Sequence, residues 1–255
     1  MVQQQRNRLS HTVTPIGFGA FKIGRNEKTK YPTQYDLPSD EDVAKLLDSL
    51  IGMGINFIDT APAYGVSESR LGEHISHRRD DFILSSKVGE VFENGQSIYG
   101  YSKDAVLRSV EQSLERLRTD RLDILFIHSN GNDMRILDDT DTVDGLIEVK
   151  QQGLVREIGM SGKTVDGMKR SLEWADSIMV EYNANETNML PVIQLAAARG
   201  ISVMVKKGLA SGHLDADAAV RFVLAQAGVT SLVIGSLNQE HMRRHLETAL
   251  SVRSR

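Results

Sequence analysis

Two rhythms of apolar residues alternate along this chain. Short runs that are apolar on both faces give way to longer stretches in which apolar positions recur every three or four residues. The glycine-interrupted run from Thr14 to Phe21 predicts a first strand, and the polar, irregular stretch from Gly24 to Pro38 predicts a loop. Ser39-Asp40-Glu41 then reads as the cap of a helix with Val43, Leu46, Leu47 and Leu50 on one face, ended by Gly52 and Gly54. A second strand is predicted from Ile55 to Asp59 and a short helix from Ser67 to Ile75. The unit recurs as a strand from Asp81 to Lys87, a loop to Tyr101, and a helix from Ser102 to Arg118 with Val106, Val110, Leu114 and Leu117 on one stripe. Further strands are predicted at 122–128, 155–160, 177–182, 201–206 and 230–234. Their helices fall near 142–152, 164–174, 186–199, 216–227 and 239–252.

Strands apolar on both faces, joined by amphipathic helices, imply an α/β protein with a parallel sheet covered by helices. Eight such units in 255 residues match a closed (β/α)8 barrel, a TIM barrel of about 250 residues. An open doubly wound sheet competes with it, but that fold places a glycine fingerprint after its first strand. Gly17-Phe18-Gly19 does not continue to a third glycine at the right offset. No linker divides the chain, so a single domain over residues 1–255 is expected.

Composition changes this picture mainly by exclusion. Lys plus Arg number 30 against 34 Asp plus Glu, a net charge of −4, which gives no general attraction to nucleic acid or to an anionic membrane. There is no cysteine, which excludes disulfides, thiolate metal sites and cysteine nucleophiles. No apolar run is long enough to span a bilayer, and Met1 to Arg8 lack an apolar signal region. The expectation is a soluble, cytoplasmic protein without a resident metal, monomeric by default, acting on a small molecule.

In a (β/α)8 barrel the carboxyl ends of the strands face one shared site. Asp59 closes the second predicted strand, Lys87 the third and His128 the fourth, while Tyr64 sits in a turn held by Pro62 and Gly65. Each alone has an ordinary reading: a turn cap, an ion pair, a satisfied barrel histidine, a ring under a loop. Together they favour chemistry. A phenol is a weak acid with a pKa of about 10, and a neighbouring ammonium favours its phenolate. A carboxylate can hold that ammonium, and a histidine can orient a carbonyl oxygen. The set suits protonation of a carbonyl oxygen while hydride, which no side chain donates, arrives from a cofactor.

The segments 57–65 (Phe-Ile-Asp-Thr-Ala-Pro-Ala-Tyr-Gly), 85–89 (Ser-Ser-Lys-Val-Gly) and Leu117 to His128 resemble the aldo-keto reductase superfamily. Residues 153–161 and 181–183 add support. The resemblance implies NAD(P)H-dependent reduction of an aldehyde or ketone, or the reverse alcohol oxidation. Its tetrad falls on Asp59, Tyr64, Lys87 and His128, with Tyr64 as proton donor, Lys87 and Asp59 tuning it and His128 orienting the substrate. It places the cofactor along Gly19, Ala20, Asp59, Ser161, Lys206, Lys207, Leu209, Ser211, Gly235, Ser236, Asn238, His241 and Arg244. The substrate falls beside Phe21, Tyr64, Phe92 and His128. NADP(H) is the first expectation and NAD(H) the second.

The cofactor side departs from the family pattern. Gly162 stands where the family commonly has Asn, Met179 where it has Gln, and Lys206 where an aromatic ring stacks on the nicotinamide. Lys206 then either covers the ring with its stem, faces a phosphate or the substrate, or turns to a rim carboxylate. Gly235 and His241 replace the usual basic residues, and Arg244-His245 replace a Glu-Asn pair. Ser236, Asn238, Arg244 and the last helix's N-terminus remain for phosphate. The sequence stops soon after that helix, which leads to the expectation of a shallow pocket walled by Phe21, Phe92 and the loop from Asn130 to Leu137. Gly162-Lys163-Thr164 ends like a phosphate-binding loop, but that motif's first glycine falls on Glu157. His74 with His77, and His241 with His245, have helical spacing but no third ligand, and read as solvent-exposed helix faces. A lyase using Lys206 as a Schiff base, and a non-catalytic NADP(H) sensor, are the competing functions.

Overall fold

The computed structural model describes residues 12–29 and 31–254. Eight parallel strands form the barrel: β1 (Ile16–Gly19), β2 (Phe57–Asp59), β3 (Ile83–Val88), β4 (Leu122–His128), β5 (Val155–Ser161), β6 (Ser177–Glu181), β7 (Ser202–Lys206) and β8 (Ser231–Ile234). Each pairs with its neighbour in sequence, and Ile16 of β1 pairs with Leu232 of β8 to close the ring. The helices that follow them are α1 (Asp40–Gly52), α2 (Ser67–Ile75), α3 (Lys103–Leu117), α4 (Thr142–Gln151), α5 (Val165–Ser171), α6 (Leu190–Ala198), α7 (Ala216–Ala225) and α8 (Gln239–Arg253). Ser39 and Ser102 cap α1 and α3 by accepting from the backbone N–H of Asp42 and Ala105.

The period of two along each strand divides the core. Ile58, Leu84, Leu125, Ile127, Ile158 and Met160 face outward under the helices. Phe57, Ile83, Ile124, Phe126, Met179 and Met204 fill the interior. Phe57 lies across Gly17, where an added Cβ would come within 2.5 Å of its ring. Counting on in twos from the interior residues reaches Asp59, Lys87, His128 and Lys206. These polar side chains therefore occupy the last inward layer, above an apolar plug that keeps water from reaching them from below.

The structure departs from the predicted elements in three places. Residues 90–99, read as part of a loop, form an antiparallel hairpin of Glu90–Glu93 with Gln96–Tyr99. Its turn is Asn94-Gly95, both with positive φ (51° and 72°), a pair that marks a two-residue hairpin turn directly. The loop after β4 contains a short helix, Asp133–Asp138. Helix α6 starts at Leu190 rather than near residue 186, because Asn183 and Glu186 bridge to each other first and Pro191 then seeds the first helical turn. Among the described residues, no helix is long and apolar enough to cross a membrane.

Candidate active site

Asp59 and Lys87 meet at the mouth of the barrel. Lys87 Nζ donates to Asp59 Oδ1 at 2.7 Å, to Oδ2 at 2.6 Å and to the Thr60 carbonyl at 2.8 Å. Ser85, the ladder partner of Asp59, donates its hydroxyl to Oδ1 at 2.7 Å. Both charged side chains are buried, Lys87 at 1% and Asp59 at 3% exposure. Burial works to lower the lysine's pKa, but Asp59 and Tyr64 outweigh it, so the pKa is raised and the ammonium stays charged. Removing one partner of such a pair strands the other charge, at a cost of about 3–5 kcal/mol.

Tyr64 arrives on a 3-10 turn, Pro62–Tyr64, entered through Pro62, whose fixed φ suits it. Gly65 leaves the turn at φ 60°, with its α-carbon against the Gly24 carbonyl, where no Cβ fits. Thr60 and Ser67 hydroxyls lie 2.9 Å apart, and Ser67 donates to the Ala20 carbonyl, tying the turn to the end of β1. The Tyr64 ring lies with its centre 4.7 Å from Lys87 Nζ, edge-on to Phe21 at 5.1 Å and to His128 at 6.2 Å. Two opposing effects set the direction of its pKa. Burial raises it more than the neighbouring ammonium lowers it, so the phenol holds its proton more firmly than a free tyrosine.

His128 is held from the hairpin side. Its Nδ1 lies 3.1 Å from Glu90 Oε2, without the alignment of a hydrogen bond. The Tyr101 hydroxyl donates to its backbone carbonyl at 2.8 Å. Burial, with the charges of Lys87, Lys206, Lys163 and Arg25, pushes its pKa well below the usual range, so the imidazole is neutral at pH 7. Glu90 and Arg25 have no place in the sequence-derived site. Arg25 stacks on Phe92 at 3.4 Å and donates to the Ala63 carbonyl at 3.0 Å, which draws Phe92 over the mouth beside Phe21. The Asn94-Gly95 turn was the available signal for Glu90, whereas the irregular loop of Arg25 offers none.

The half of the mouth between β5 and β8 centres on Lys206. Lys206 Nζ donates to Ser161 Oγ at 2.8 Å and to the Gly162 carbonyl at 3.2 Å. Glu181, the ladder partner of Lys206 and a rim carboxylate, pairs with Lys207 instead. Burial and the charges of Lys207, Lys87 and Lys163 bring the Lys206 pKa down to about 7. Two features suit a dinucleotide here. Gly19 and Gly235 face each other without side chains, and a Cβ on Gly235 would lie 3.0 Å from the Gly19 carbonyl. Lys207, Ala210 and Ser211, around Leu209, hold left-handed backbone (φ 53°, 47° and 60°), a strain that recurs at ligand clamps. Further along, Asn238 is already engaged, accepting from the N–H groups of Glu240 and His241 at 2.9 and 3.1 Å. Its side-chain oxygen is thus the cap of α8 rather than a free phosphate ligand. Ser236 accepts from the Asn238 N–H, while His241 and Arg244 are exposed.

The phosphate-loop resemblance also dissolves. Asp133 Oδ2 accepts from the N–H groups of Lys163 and Thr164 and from the Thr164 hydroxyl, at 2.6–2.9 Å. A carboxylate of the chain itself fills the anion cradle. His245, expected on an exposed helix face, is buried at 5% exposure. Among the described residues no group of three His, Cys, Asp or Glu side chains could hold a metal ion.

Comparison with known proteins agrees with this fold. An aldo-keto reductase from Pseudomonas aeruginosa has a solved structure with a TM-score of 0.87 at 40% identity, covering 94% of this chain and 90% of that one. An aldo-keto reductase from Bacillus halodurans in its holo form is similar in fold alone, with a TM-score of 0.79 at 24% identity over 98% and 93% of the two chains. The L-galactose dehydrogenase of Arabidopsis thaliana is 29% identical over 79% of this chain, which spans 63% of that relative's length. The sequence model of the aldo/keto reductase family matches residues 15–218, and the chain belongs to that family.

Proposed function

We propose that this protein reduces aldehydes or ketones to alcohols, or runs the reverse oxidation, with a nicotinamide cofactor as hydride donor and Tyr64 as proton donor. The supporting observation is the Lys87 ammonium, clamped by both Asp59 oxygens and set against the Tyr64 ring beside a neutral His128. The cofactor, NADPH by resemblance with NADH second, supplies hydride to the carbonyl carbon. The remaining work falls to the chain. Tyr64 keeps its proton at neutral pH until negative charge builds on the substrate oxygen. Lys87 then stabilises the phenolate left behind, and Asp59 keeps Lys87 charged and in place. His128 presents a neutral ring that orients the carbonyl oxygen. Phe21 and Phe92 wall the substrate. Gly19, Ala20, Ser161, Lys206, Lys207, Leu209, Ser211, Gly235, Ser236 and Arg244 would line the cofactor. The plant relative's name extends the reading to oxidation of a sugar.

Steady-state kinetics on the best aldehyde tests the proposal. Tyr64→Phe and Lys87→Met each lower turnover by about 10²–10⁴-fold. Wild-type turnover in both variants would reject it. Fluorescence titration with NADPH and NADH separates the two cofactors.

One observation favours a second reading. With a pKa near 7, the Lys206 amine is a competent nucleophile at neutral pH, which suits Schiff-base chemistry. Borohydride reduction in the presence of a carbonyl substrate, followed by mass analysis, decides. No added mass on Lys206 removes this reading.

A further inference from the structure

The chain is acidic overall, yet the cations around His128 outnumber their partners. Four press on its ring: Lys87, Lys206, Lys163 and Arg25. Lys87 is neutralised by Asp59, and Lys207 at the rim takes Glu181. The other three have no carboxylate within ion-pair distance among the described residues. Lys206 donates to a hydroxyl and a carbonyl, and Arg25 donates only to the carbonyls of Glu27 and Ala63. Lys163 is exposed, and its stem lies over Gly131, where an added Cβ would be 3.8 Å from its Cδ.

These cations sit around the reacting position. Ser161, which holds Lys206, is the ladder partner of His128. Gly131, under Lys163, follows His128 by three residues. Arg25 stands on the opposite wall, stacked on Phe92 and 5.5 Å from the Phe21 ring. Of the three, Lys206 is the one held largely away from water, and a cation so held without a paired carboxylate is unfavourable unless a ligand brings the charge. Glu90, with Oε2 3.1 Å from His128 Nδ1, accepts from the Ser97 hydroxyl at 2.7 Å and, with Glu27, offsets part of the Arg25 charge.

We infer that the mouth takes an anionic carbonyl compound, an aldehyde or ketone with a carboxylate or phosphate close to its carbonyl group. Lys206 and Lys163 receive that charge, and Arg25 adds to the positive field from the facing wall. The inference rests on the carbonyl-reduction reading and narrows its substrate class. The depressed pKa of Lys206, lowered first by burial and then by the charges of Lys207, Lys87 and Lys163, agrees with it, since an arriving anion favours the charged form.

A matched pair of substrates provides the test: 4-oxobutanoate and its neutral methyl ester, with kcat/KM measured for wild type, Lys206→Met and Lys163→Met. Charge-assisted hydrogen bonds to one or two lysines predict a preference of about 10–100-fold for the anion in wild type. Each variant lowers that ratio to a few-fold. Equal kcat/KM for the two substrates in wild type overturns the inference while leaving carbonyl reduction intact. So does a preference unchanged in both variants while the Kd for NADPH rises, because the lysines then serve the cofactor's phosphates. Turnover of neither substrate, nor of any other carbonyl compound, rejects the reading of function instead. Calorimetric titration with succinate then decides about the charge. Binding that weakens about tenfold in Lys206→Met supports the anion site, and no binding to wild type overturns it.

Discussion

From β1 to β4 the mouth pairs its buried lysine with a carboxylate, whereas from β5 to β8 it leaves its inward lysine without one. Asp59 and Lys87 share two hydrogen bonds under full burial, and Ser85 and the Thr60 carbonyl complete their shells. Lys206 rests on a hydroxyl and a carbonyl, and Arg244 reaches into water. A site that is complete within itself is preorganised for a reaction that repeats unchanged. One whose charges await partners suits ligands that arrive and leave.

The contrast is easiest to break by removing one lysine from each half. Lys87→Met strands the Asp59 carboxylate and costs about 3–5 kcal/mol. Lys206→Met replaces an unpaired, half-buried amine with an apolar side chain of similar length and raises the thermal midpoint. Urea and thermal unfolding at neutral pH measure both, and equal effects of the same sign would erase the distinction.

Below the mouth, Glu157 extends the comparison to pH. Burial, with Asp176 nearby, lifts its pKa to about 8 from an ordinary value near 4.5. Between those values the folded chain keeps a proton that the unfolded chain has lost. Its contribution to stability is therefore complete below pH 4.5 and lost as pH rises through 8, by up to about 1.4 kcal/mol per pH unit. Lys206, depressed to about 7, acts in the opposite sense between pH 7 and its ordinary 10.5. Thermal midpoints across this range should flatten in Glu157→Gln at the acidic end and in Lys206→Met at the alkaline end.

Glu90 tests whether the paired half extends to the hairpin. Glu90→Ala should lower kcat about tenfold with little change in KM, since the carboxylate orients His128 rather than holding substrate. The smallest effect is expected at the far end of the open half. Asn238→Ala removes the cap of α8 at a cost of about 1 kcal/mol, or about 2–4 °C in thermal midpoint. A loss of NADPH affinity larger than tenfold would show that Asn238 reaches the cofactor as well.

The barrel was legible because its signals are local. Apolar runs recur eight times, and the capping Ser39 and Ser102 and the closing Gly153 stand where the pattern places them. The tetrad positions were legible for the same reason, as last residues of strands or five residues beyond one. The hairpin was written in Asn94-Gly95 but lay inside a stretch whose flanking residues are mostly exposed, so hydrophobic alternation barely marks it. Arg25 left no trace, and nothing in the local pattern marked Glu90 or Lys163 as neighbours of His128, because each reaches the site from a loop or hairpin whose path local pattern does not set.

The sequence by itself determined the order of strands and helices, and the parity that turns Asp59, Lys87, His128 and Lys206 inward. A period of two needs no knowledge of distant residues. Only the tertiary structure decided which charges find partners. Glu181 closes on Lys207 and leaves Lys206 open, although the two lysines are adjacent in the chain. It also decided that burial outweighs the ammonium at Tyr64, so that the phenol keeps its proton. Both outcomes depend on distances between strands far apart in sequence and on the water excluded between them, and neither quantity is encoded in local pattern.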